Sequence, residues 1–188
     1  QGRAVHKVYL TDTSNASAWY DLCEQLSDDS PDALTIATAE ASTASQPDHL
    51  VDQAALREDW AQLMDTHHFM ALLKRHCVAR EQALRLAGHS WAERLPTSAL
   101  AQTLEQAAAS QQRIMVFVGN HGCIQIHSGP VQRLRRLGDW YNVLDPAFSL
   151  HLRETAISQL WRVRKPTADG IVSSLEAYDS DGALILQL

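Results

Sequence analysis

Two imidazoles and a thioether fall within one short stretch, Asp65-Thr66-His67-His68-Phe69-Met70. All three side chains are donors for a transition metal. At helical spacing His67 and Met70 lie near one face, while His68 points roughly 100° away. His67 and His68 therefore cannot both reach one small ion without distortion. A four-ligand zinc site is poorly served, because no third carboxylate or thiolate stands nearby at ligand spacing. A single axial imidazole for haem iron needs only one of the two. The plainer alternative is a helix-start histidine that binds nothing, and the residues alone leave both open.

Haem also requires apolar walls and cations for its two propionates. Phe69, Phe117 and Trp161 are candidate walls, and Lys165 and Arg80 are candidate propionate partners. Each has a bland reading beside it: an aromatic on a buried strand is usually core, and an arginine on a helix is usually solvated. Cys23, Cys77 and Cys123 form no CxxC pair, so neither a zinc site nor a disulfide framework is indicated. Free thiols favour a reducing cytoplasm. There is no GxSxG, and Gly119-Asn120-His121-Gly122 is a hairpin turn, not a phosphate loop, since no helix follows it.

The elements that must position these groups follow from periodicity. Arg3-Ala-Val-His-Lys-Val-Tyr-Leu10 alternates as a strand. Ser14 or Asn15 caps a helix running to about Leu26. Residues 27–52 are rich in Ser, Thr, Asp, Ala and Pro and read as a linker. Leu56, Trp60 and Leu63 then recur at helical spacing, Asp65-Thr66 caps a helix from His67 to about Arg75, and Ala79–Ala87 is stopped by Gly88. Ser98–Ala109 completes a helical block over 53–110. After Ser110 the period becomes two. Strands are expected at Ile114–Val118, Cys123–His127, Gln132–Leu137, Trp140–Leu144, Phe148–Arg153, Leu160–Arg164, Ile171–Tyr178 and Ala183–Leu188. The class is α+β: a helical N-terminal part, then one large antiparallel sheet over 112–188. Gly2-Arg-Ala-Val-His-Lys-Val8 is similar to Gly182-Ala-Leu-Ile-Leu-Gln-Leu188, as if residues 1–26 closed a preceding copy of the same fold. Both ends of the chain look cut.

The bulk numbers set limits. The 188 residues carry a net charge of −6, which gives no support for nucleic-acid binding. Arg133, Arg135 and Arg136 are read as a solvated sheet face. No apolar run approaches the roughly 20 residues of a membrane span. No signal-peptide pattern opens the chain, which begins on Gln1.

Several stretches in order carry a family resemblance: Asp65-Thr-His-His-Phe69, Ala83-Leu-Arg-Leu-Ala87, Ile114-Met-Val-Phe-Val-Gly-Asn120, Gly122-Cys-Ile-Gln-Ile-His-Ser-Gly-Pro-Val131, Asn142-Val-Leu-Asp-Pro146, Leu150-His-Leu-Arg-Glu154 and Val163-Arg-Lys-Pro-Thr-Ala-Asp-Gly170. Together they resemble the hemin-degrading factor family, the HemS-like proteins of cytoplasmic haem utilisation. The resemblance implies two similar halves with haem between them. Residues 1–26 would then be the end of the first half (strand plus helix), 27–52 a linker and 53–188 the haem-binding second half. It makes His67 the axial ligand of the haem iron, with His68 as an alternative ligand. Arg80, Phe117, Lys165 and Gln187 fall where the family lines the pocket. Met70 departs from relatives that carry a further histidine there. The opposite haem face is served in the family by an arginine of the first half, which nothing in this chain matches. The role implied is a haem carrier in bacterial iron acquisition. Oxidative haem cleavage is the enzymatic alternative, and delivery to a haem oxygenase, or receipt from an importer, is the interaction alternative.

Overall fold

The computed structural model describes residues 6–27, 45–120 and 122–188. Most of the expected linker, Arg3–Val5 of the expected first strand, and His121 of the hairpin turn lie outside these. Among residues 6–27, helix α1 spans Ala16–Leu26, and the Asn15 side chain accepts from the Ala18 amide at 3.0 Å. Residues 6–10 are not the expected strand; they are exposed and without regular structure. A strand has no internal hydrogen bonds, so alternation without a ladder partner does not make one.

Residues 45–52 do not continue a loose linker. Gln82 donates to the Gln46 carbonyl and to Asp48, both at 2.7 Å, and Asp48–Leu50 forms a single 3-10 turn. Asp52 then caps helix α2, Gln53–Ala61, which buries Leu56 and Trp60 one turn apart. Helix α3, Phe69–Arg75, buries Phe69, Leu72 and Leu73. Helix α4, Arg80–Ala87, buries Ala83, Leu84, Leu86 and Ala87 and ends at Gly88, whose φ of +86° suits a residue without Cβ. Strand β1, Ala92–Leu95, interrupts the expected helical block. Helix α5, Ala99–Ser110, turns Leu100, Ala101, Leu104 and Ala107 inward. Among the described residues no helix is long and apolar enough to cross a membrane.

The α+β class holds, with a large antiparallel sheet, but the strands divide between two sheets. Strands β2 (Ile114–Gly119), β3 (Ile124–Gly129), β7 (Gln159–Thr167), β8 (Gly170–Tyr178) and β9 (Leu184–Gln187) join β1 in the order β1-β7-β8-β9-β2-β3. Strands β4 (Leu134–Leu137), β5 (Trp140–Asp145) and β6 (Phe148–Arg153) form a separate three-stranded meander. In the larger sheet β9 lies between β8 and β2, pairing Gln187 with both Glu176 and Phe117.

Two apolar cores result. The helical layer, with Leu56, Trp60, Phe69 and Leu84, packs on Trp161, Val163 and Tyr178 of the six-stranded sheet. Helix α5 packs with both sheets around Leu104, Val116, Val143 and Leu160. Trp60 ties the first core to the sheet: its indole is fully buried, donates to the Arg164 carbonyl at 2.8 Å, and meets the Phe69 ring edge-on at 4.7 Å. Trp60→Phe keeps an aromatic ring but leaves that carbonyl without its donor. We expect a loss of about 1–3 kcal/mol in urea denaturation; an unchanged midpoint would show that the bond contributes nothing to stability.

Candidate functional site

His67 is placed by a local device. Asp65 is the cap of the Thr66–His68 turn: its carboxylate accepts from the His67 amide at 2.8 Å and meets His67 Nδ1 at 2.7 Å. Those bonds hold the Asp65 carboxyl below its ordinary value, the His67 backbone amide first and the ring second. A carboxylate accepts only, so Nδ1 carries the proton, and in the neutral imidazole the lone pair is then on Nε2. A carboxylate behind the ring is the arrangement that orients metal-binding imidazoles. The His67 side chain is 90% exposed, so Nε2 is open to a ligand. His68 and Met70 are exposed as well. Among the described residues no group of three or more His, Cys, Asp or Glu side chains could hold a metal ion.

The second feature is a buried charge cluster. Glu176 on β8 is fully buried. Arg80, the first residue of α4, donates to it through Nε at 2.8 Å and Nη2 at 2.6 Å. Lys165 on β7 donates to it at 2.8 Å, and the Tyr178 hydroxyl at 2.6 Å. Arg80 Nη2 also reaches Gln187 Oε1 on β9 at 3.0 Å. Both cations lie over the Phe69 ring, Lys165 Nζ at 4.6 Å and the Arg80 guanidinium carbon at 5.3 Å from its centre. Burial alone would push the Glu176 carboxyl up, but Arg80 and then Lys165 outweigh it and hold it well below the usual carboxylate range. Burial, and then the Glu176 charge, push the Tyr178 phenol up, so it stays a donor. Burial pulls the Lys165 amine down against the opposing pull of Glu176.

A cavity of about 710 Å³ lies beside this cluster, between β2 and the first half of β8. The volume is in the range of small-molecule sites. Phe117 and Met115 of β2 and Val172 of β8 supply apolar wall, and Lys165 and Gln187 supply polar ends. Thr66, one residue before His67, lines it too. Arg113 and Arg162 also border it; Arg162 is paired with Glu93.

Of the residues singled out from sequence, Phe117, Lys165 and Gln187 meet on one cavity, and Arg80 joins them through Glu176 and Gln187. Lys165 and Arg80 are not free cations: each is already paired with Glu176. Phe69 and Trp161 are buried in the helical core and do not line this cavity. Glu176 was missed. The one available sign was its phase, since Ser174, Glu176 and Tyr178 are inward residues of one strand and Glu176 is an acid there.

A model of the Haemin-degrading HemS.ChuX domain matches residues 77–188. The chain belongs to this family. It is 40% identical over all of its length to the "Hemin transport protein HmuS" of Yersinia pestis, of which it spans 54%. It thus covers about half the length of the curated relatives it matches. Among solved structures, it is similar to apo-PhuS, a heme-binding protein from Pseudomonas aeruginosa, with a TM-score of 0.91 and 57% identity over 97% of this chain and 54% of that one. It is also similar to ChuS, a heme degrading enzyme of Escherichia coli O157:H7, with a TM-score of 0.84 and 38% identity over 95% of this chain and 51% of that one. The family match takes in α4, both sheets and the Glu176 cluster, and begins after the Asp65–His67 turn.

The depressed carboxyl makes stability depend on acid. The stabilisation from Glu176 is fully present above the ordinary glutamate value of 4.5 and is lost as pH falls through its lower folded value. Urea midpoints should therefore hold near neutral pH and fall once the pH drops below about 4.5. Tyr178→Phe removes a donor from the carboxylate and brings its folded value closer to 4.5, so its acid limb should begin at the same pH but be smaller and level off sooner. Superimposable acid limbs for the two proteins would count against the Tyr178–Glu176 bond.

Proposed function

We propose that this chain binds haem through His67 and serves as a cytoplasmic haem carrier in bacterial iron acquisition. The observation that carries the reading is the Asp65-oriented imidazole of His67, with Nε2 open to a ligand, one residue from a cavity that combines apolar wall with cationic ends. The site fits the group. Phe117, Met115 and Val172 suit a flat apolar macrocycle, and Lys165 keeps two amine hydrogens beyond the one given to Glu176, available to a propionate. Bound haem supplies an iron that takes one imidazole; the protein's part is to present that nitrogen in a fixed tautomer, exclude water along the apolar wall and neutralise carboxylate. His68 is the alternative ligand after a rotation of the turn.

The relatives' descriptions support the reading: one is a hemin transport protein and one a heme-binding protein. The second reading, oxidative haem cleavage, draws on the likeness to a heme degrading enzyme. The stronger structural likeness is to the heme-binding protein, which favours holding over turnover.

Titration of ferric haem tests the ligand. His67→Ala should weaken binding by more than about tenfold and abolish the imidazole-bound spectrum. Asp65→Ala should keep the spectrum and lower affinity by about 10–100-fold, as loss of an orienting partner does. An unchanged spectrum and affinity in His67→Ala would sink the assignment. A spectrum lost only in the His67/His68 double variant would move it to His68. Steady formation of a single tetrapyrrole product from bound haem, with ascorbate and with catalase present, would put cleavage ahead of carriage.

A further inference from the structure

Lys165 is surrounded by a small and countable set of groups. Its side chain, on β7, is 5% exposed. Facing it are Glu176 and Tyr178 from β8, Arg80 from α4 and the Phe69 ring from α3; Gln187 of β9 joins through Arg80. Glu176 is the one anion of that set, and Arg80 is a like charge. Glu176 itself is sealed from solvent, so it cannot meet a ligand. Lys165 is less enclosed, since it lines the cavity, whereas Arg80 borders a separate hollow between α3 and α4. Lys165 also has donors to spare, giving one of three N–H bonds to Glu176.

We propose that Glu176 is a positioning residue for ligand binding: it fixes Lys165 at the cavity against the like charge of Arg80 and keeps the Lys165 amine charged for a ligand carboxylate. The inference rests on the haem reading of this cavity. Two cations against one anion leave the cluster with a single positive charge, matched to one carboxylate. Without Glu176, a buried lysine beside an arginine surrenders its proton, because burial and like charge both disfavour the ammonium. Without its shape, neither cation has a fixed place, since Glu176 is the shared acceptor that spans β8, β7 and α4.

Two variants separate charge from position. Glu176→Gln keeps the size and removes the charge; Glu176→Asp keeps the charge but is too short to hold both cations at once. The first measurement needs no ligand: NMR titration of the Lys165 side chain. We expect the Glu176→Gln amine to give up its proton at lower pH than the wild-type amine. The second is the affinity ratio of haem to haem dimethyl ester, which lacks the carboxylates, measured from acid to alkaline pH. Wild type should favour haem by about tenfold or more, with little pH dependence. Glu176→Gln should keep that preference at acid pH and lose it as its Lys165 titrates. Glu176→Asp should lose several-fold of the preference at every pH. A purely structural role would weaken both porphyrins alike and leave the ratio unmoved, which would overturn the proposal. So would a Glu176→Gln amine that titrates no lower than the wild-type one. Should Glu176→Gln fail to fold, an Asp variant with the wild-type ratio would overturn it instead. Wild type that binds neither porphyrin would overturn the haem reading itself, while the lysine titration would still show whether Glu176 sets the Lys165 charge.

Discussion

A single carboxylate, that of Glu176, holds the helical layer to the sheet at the place where the cavity lies. It accepts from α4 through Arg80, from β7 through Lys165 and from its own strand through Tyr178, and Arg80 carries the connection on to β9. Desolvating three charges is expensive, and close geometry with every oxygen satisfied is what makes it tolerable. Removing one partner of such a pair costs about 3–5 kcal/mol, because a buried charge is left alone. The aromatic floor beneath the cations depends on the same arrangement: Phe69 fills the space under them while Trp60 braces Phe69 and bonds back to β7.

The two ends of the candidate site are built in opposite ways. The imidazole end is wet and local, positioned by a carboxylate two residues away. The charged end is dry and assembled from three distant parts of the chain. A coordinating nitrogen gains from exposure, since it needs a free lone pair and an approach path. A carboxylate-binding cation gains from partial burial, where a low dielectric strengthens its hydrogen bonds.

That contrast also explains what was legible in the sequence. The Asp65 cap and the Gly88 stop are local patterns and stand where their spacing puts them, whereas the helix expected from His67 begins at Phe69, after a 3-10 turn over Thr66–His68. Phe117 and Lys165, candidates by residue type that the family resemblance also places in the pocket, meet on one cavity. Glu176 was not legible, because its charged partners, Arg80 and Lys165, lie in other elements and no periodicity links them. Strand β1 was hidden: Ala92-Glu93-Arg94-Leu95 has no β-branched or aromatic residue and exists because β7 offers it an edge. Likewise Val8-Tyr9-Leu10 has strand-like residues and no partner, and is no strand. The union of β7 and β8 with β2 and β3 in one sheet turns on β9 entering between β8 and β2, a long-range pairing that short connections do not announce.

The place of β9 bears on how the molecule is made. Strands β2 and β3 leave the ribosome well before Leu184–Gln187, yet β9 is what joins them to β8. During synthesis β2 therefore waits with an open edge and with Phe117, Met115 and the rest of its apolar cavity wall uncovered. Non-local pairings of this kind close slowly, and a waiting edge is open to mispairing with other chains. The segment that completes the cavity is thus also the one that ends this exposure, so assembly of the cavity is coupled to the late pairing of β9 with strands made before it.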